Sequence, residues 1–115
     1  MEERQLKDAS RIERLVGILG VVAVRLLQLR GLARSEPLRA AAEVVPALYL
    51  WVLQASKGMS GQNWTVQRFF HELGKMGGWL GRKGDGEPGW IAIWRGWAQL
   101  ALLVRGFQLG QTMTL

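Results

Sequence analysis

An all-α protein of about four to five helices is predicted, and three observations predict it. Apolar residues recur at spacings of three and four through most of the 115 residues. Glycine and proline fall at the ends of these stretches, where helices stop and start. No run alternates apolar and polar residues over strand length.

A long first helix is expected from about Gln5 to Leu32, free of proline, with Gly31 as its stop. Between Leu15 and Leu29 apolar residues go all the way round, as in a helix surrounded by protein. Gly17 and Gly20 then read as points where a neighbouring element comes close. The run falls short of the roughly 20 apolar residues that span a bilayer, and Arg25 and Gln28 interrupt it. Pro37 after Ser35 and Glu36 marks a helix start, and Pro46 cannot sit inside a regular helix. A short helix near Leu38–Val44 and a second over Ala47–Ser56 are therefore expected, the latter ended by Gly58.

"GMSGQN" reads as a loop with Asn63 as a cap for the next helix, "WTVQRFFHELGKM". There Val66, Phe69, Phe70, Leu73 and Met76 form a core stripe, with His71 and Glu72 off it. "GGWLGRKGDGEPGW" is a glycine-rich loop with Arg82 and Lys83 at a charged tip. Pro88 opens a last helix reaching about Leu109, and the tail "GQTMTL" is expected to fray. This helix carries two adjacent apolar stripes, Trp90–Trp94–Trp97 and Ile93–Leu100–Val104–Phe107. One stripe can face a core, and the second asks for deep burial or a partner.

A net charge of +6 and a pI near 10.8 suit contact with a polyanion, although solubility alone also accounts for them. Arg4, Lys7, Arg11 and Arg14 line one edge of the first helix, either as phosphate contacts or as a solvated helix end. The absence of cysteine excludes disulfides and thiolate metal sites, and a single histidine excludes a multi-histidine one. The nine acidic residues are mostly beside basic residues or helix starts, so no acid–base or metal centre is indicated. No enzyme is expected.

Two stretches, "RIERLVGILGVVAVRLLQLRG" and "KMGGWLGRKGDGEPGWIAIWRGW", resemble the C-terminal end of the Tn-five type of bacterial DDE transposase, of the insertion-sequence-four class. The likeness rests on the run Val22–Arg30 and on Gly77, Gly78, Lys83, Gly86, Trp90, Trp94, Gly96 and Trp97. It is looser over residues 35–62. The resemblance implies that residues 1–34 are the last helix of an otherwise absent RNase-H-like catalytic core, and 35–115 a helical dimerisation domain. The family's acidic triad, which holds a divalent metal, expected to be magnesium, should then lie N-terminal to this chain. No catalytic residue, metal site or cofactor is expected within it.

The same resemblance implies a dimer contact by Leu100, Leu103, Val104 and Phe107, with Trp90, Trp94 and Trp97 packing inside the chain. It places Lys7, Asp8, Arg11, Arg82 and Lys83 beside transposon-end DNA, and phosphate contacts are assigned to the four cations. The expected partners are a second copy, a full-length transposase and DNA in the bacterial cytoplasm, with no small-molecule substrate and no membrane. A stand-alone basic helical adaptor for another protein is the alternative.

Overall fold

The structure, a computed structural model, describes the backbone of residues 2–113 and the side chains of residues 9–112. Among the described residues there are four helices: α1 (Glu2–Ser35), α2 (Ala47–Ser56), α3 (Val66–Met76) and α4 (Trp90–Met113). A single 3-10 turn, Ala41–Glu43, lies between the first two. No strand occurs among the described residues, and one antiparallel bridge joins Ala40 to Thr65. The fold is all-α.

Each boundary has a local cause. Helix α1 runs past Gly31, where the Ser35 hydroxyl donates to the Gly31 carbonyl at 2.9 Å. It ends before Pro37, which disfavours helical backbone at the preceding residue. The segment after Pro37 is a 3-10 turn rather than the expected short helix. Its backbone is committed elsewhere: Ala41 donates to the Trp64 carbonyl at 2.9 Å, and Val66 donates to that of Arg39 at 2.7 Å. Pro46 sits at the N-terminal cap of α2, where its missing N–H costs nothing. Gly58, at φ 68°, closes that helix in a conformation that glycine adopts freely. The cap of α3 is Thr65, not Asn63: its hydroxyl accepts from the Arg68 backbone at 3.1 Å. Helix α4 continues through most of the tail expected to fray.

The core lies around α3. Phe69, Phe70 and Leu73 meet Leu26 and Leu29 of α1, Val52 and Leu53 of α2, and Ile93 and Leu100 of α4. Trp64 and Val45 close its edge. Two close backbone approaches hold α3 against α4. A Cβ placed on Gly77 would meet the Ala92 carbonyl, and one on Gly96 would meet the Leu73 carbonyl. Gly74 is similarly covered, by the Pro88 ring, 2.6 Å from such a Cβ.

The first half of α1 departs from expectation. Ile12, Leu15, Val16, Ile18, Leu19 and Val21 are exposed, and only from Val22 onward does the helix join the core. Its 34 residues, at about 1.5 Å each, span roughly 50 Å. That nearly equals the molecule's longest dimension, 55 Å, so half the helix projects beyond the bundle as a shaft. A Cβ placed on Gly17 or Gly20 would meet no neighbouring element within 4 Å. Ala9–Ser35, longer than the central apolar run, is also long and apolar enough to cross a membrane by length and composition.

Candidate dimerisation surface

Helix α4 positions the surface. Its inner stripe consists of Ile93, Gly96, Leu100 and Val104, at spacings of three and four, and it is filled by the chain's own core. Leu100 and Val104 are 0% and 3% exposed, so they cannot touch a second subunit in this arrangement. This corrects the interface expected for them. The stripe they share with Ile93 is the one that α2 and α3 cover.

The other two expected interface residues lie differently. Leu103, about 60° round the helix from Leu100, is 45% exposed. Phe107 is half-buried and meets the exposed Trp51 of α2, with ring centroids 5.0 Å apart and planes tilted by 50°. Leu103 precedes Phe107 by one helical turn, which places them on one face. Gly106, beside them, has open space where a side chain would be. Leu103, Phe107 and Trp51 thus form an apolar patch across two helices, with no covering element from the described chain. Only the docking of α2 on α4 shows that Trp51 lies on the outside.

The tryptophans divide. Trp97 stacks on Tyr49 of α2 at 4.9 Å and 19°, and with Trp94 it lies half-buried against the core. Trp90 is exposed and leans on Trp94 at 6.1 Å. The tryptophan buried in the core is Trp64, whose indole donates to the Gln62 side chain at 3.2 Å.

Residues 9–114 match the family described as Transposase Tn5 dimerisation domain. The chain belongs to that family. Its role is transposase dimerisation, and the patch on α2 and α4 of this Tn5-type domain is the candidate surface for it. No solved structure matches the chain.

The basic residues expected at DNA are not gathered in one place. Arg82 and Lys83 share the exposed tip of the loop between α3 and α4, and Arg11 stands on the α1 shaft. The side chains of Lys7 and Asp8 lie outside the described residues. Arg82 is held by Asp85, whose carboxylate accepts from its backbone N–H at 2.8 Å and from Nε at 3.2 Å.

One charged cluster of the Tn5-type domain escaped sequence reasoning. Glu72, off the apolar stripe of α3, is only 4% exposed. Lys57 at 2.9 Å, Arg68 at 3.3 Å and Lys75 at 3.4 Å surround its carboxylate. Arg68 and Lys75 lie one turn away on either side and were legible, whereas Lys57 arrives from the end of α2. Burial, the largest single influence, pushes the Glu72 carboxyl up. The hydrogen bonds and charges of Lys57 and Lys75 together outweigh it and hold the carboxyl below its ordinary value.

A depressed carboxyl contributes stability above its unfolded value and loses it as the pH falls through the folded one. Glu72→Gln should therefore lower the urea midpoint at pH 7, and the gap from wild type should close below the usual carboxylate range. Equal gaps at pH 7 and pH 3 would contradict this.

Proposed function

We propose that this chain is the C-terminal part of a cut-and-paste DNA transposase, and that it holds two subunits together during synapsis without performing cleavage itself. The observation that carries this reading is the uncovered patch of Leu103, Phe107 and Trp51 on a helix whose opposite side is already packed. Aromatic residues at the centre of an interface supply much of its binding energy. About 800 Å² buried on each subunit would make an interface of standard size.

The apolar shaft of α1 supports the second half of the reading. It is the surface on which an RNase-H-like catalytic core would sit, and burying each large apolar side chain there would contribute roughly 1.5–3 kcal/mol. The triad and its metal belong to that core. Auxiliary, salt-sensitive contacts to transposon-end DNA fall to Arg11, Arg82 and Lys83, with Lys7 on the same helix edge as Arg11. Such a protein acts where the DNA is, in the bacterial cytoplasm.

Co-expression tests the proposal. A chain that pairs but cannot cut should form mixed dimers with an intact relative and reduce its transposition as the dose of the chain rises. Undiminished transposition at high levels of the chain would overturn the reading. Light scattering with and without end DNA addresses the adaptor alternative, which a stable monomer indifferent to DNA would favour. Flotation with liposomes addresses the apolar shaft: the proposal expects the chain to stay with the protein fraction.

A further inference from the structure

Helix α3 and the glycine-rich loop line an open cavity of about 450 Å³. Arg68, Lys75 and Arg82 reach it from two elements, with His71 and Trp79 among its other walls. Lys57, Arg68, Lys75 and Arg82 bring four positive charges against the three negative charges of Glu72, Asp85 and Glu87. One positive charge is left over before any on His71 is counted. Glu72 does more than offset charge. From its buried position it draws three cations from two helices towards one point, and one carboxylate cannot neutralise them.

The walls are suited to an oxyanion. Two guanidinium groups offer planar forks of N–H donors, which fit phosphate oxygens in pairs, and the ammonium of Lys75 adds a mobile point charge. Gly81 and Gly86, at φ 69° and 66°, hold a backbone conformation that side chains resist, and they add no side chain of their own to the loop side of the cavity. The indole of Trp79 packs on His71 at 5.1 Å. Its N–H is buried with no acceptor among the described residues, which makes the indole resonance a sensitive reporter of changes beside the cavity.

We infer that this cavity is a phosphate site, gripped by Arg68, Lys75 and Arg82. Its ligand is either one phosphate of a DNA backbone or free phosphate. The first source rests on the DNA contact proposed above, and the second does not. The single excess charge suits a phosphodiester, which carries one negative charge.

The test uses the full chain labelled with ¹⁵N, following the Trp79 indole resonance, assigned by its loss in Trp79→Phe. Sodium phosphate is titrated against sodium chloride at matched ionic strength, and a transposon-end duplex is titrated separately. The site predicts a saturable shift with phosphate or duplex, absent with chloride, and lost in the double variant Arg82→Gln/Lys75→Gln. For duplex, that variant should also reduce the slope of log K against log salt by about one.

A shift with phosphate but no duplex binding would keep the site and remove the DNA reading. Duplex binding that leaves Trp79 unmoved, with no response to phosphate, would remove the site and keep that reading. Equal shifts with chloride would overturn the site as well. Should Trp79→Phe fail to fold, the Arg82 Nε–H resonance serves as the second probe under the same criteria.

Discussion

Leu103→Asp is expected to leave the domain folded and monomeric. Leu103 is 45% exposed and does not belong to the buried stripe of α4, so aspartate there displaces nothing from the core. In a twofold pair the same patch meets itself, and two new carboxylates would be desolvated in one interface. Losing an interfacial anchor typically costs about 2–4 kcal/mol, a factor of roughly 30 to 1,000 in association. Sedimentation equilibrium should move from twice the 12.9 kDa chain mass towards a single chain. Circular dichroism should change little. Persistent association in the variant would mean that a different surface pairs.

Gly96→Val is expected to have the largest effect on folding. A side chain at position 96 would run into the Leu73 carbonyl, with the Gly77 backbone nitrogen only 3.3 Å from its Cβ. Gly77 makes the reciprocal approach to Ala92 and Gly96. Every nearest neighbour is backbone, so no rotamer change can make room. The helices must separate, and the contact between Leu73 and Ile93 opens with them. Overpacking commonly costs 1–3 kcal/mol and more when the surroundings cannot yield; about 3 kcal/mol or above is expected here. For a domain of this size that corresponds to a fall of roughly 10–20 °C in Tm. Gly17→Ala and Gly20→Ala, on the open shaft, should instead leave the core untouched and favour the helix by up to about 1 kcal/mol each. Thermal melts of the three variants check the contrast, and a Gly96→Val melt within a few degrees of wild type would refute the close crossing.

The contrast between these glycines shows where sequence reading succeeds. Spacing identifies α3 directly, because Val66, Phe69, Phe70 and Leu73 describe one stripe and all four are buried. Pro46, Gly58 and Pro88 mark ends that depend on local backbone chemistry, and those ends lie within a residue or two of the observed ones. Burial that depends on distant elements is less legible. An apolar helix reads as enclosed, yet composition does not say whether the enclosing atoms belong to the same chain, and Ile12, Leu15, Val16, Ile18, Leu19 and Val21 all stay exposed in the described chain. Glu72 reads as a surface residue because a pattern of apolar positions carries no sign of Lys57 arriving from another helix.

The patch shows the same limit on a finer scale. Two neighbouring stripes on α4 were evident, but which of them meets α2 and α3 is a rotation of only about 60°. That rotation decides that Leu100 and Val104 are core and that Trp90 is surface. Neither α2 nor α3 records it in its own sequence, since each would accept any apolar stripe of suitable width. The close glycine crossing selects the rotation, because only the face with Gly96 can approach α3 so nearly.

Which apolar surface joins two copies is the point on which the account turns, since both the α4 patch and the α1 shaft are exposed. Nuclear Overhauser effects between differently labelled copies in a mixed sample report this directly. The account predicts intermolecular contacts at Leu103, Phe107 and Trp51, and none at Ile12, Val16 or Ile18. Contacts confined to the α1 shaft, with Leu103 silent, would contradict it.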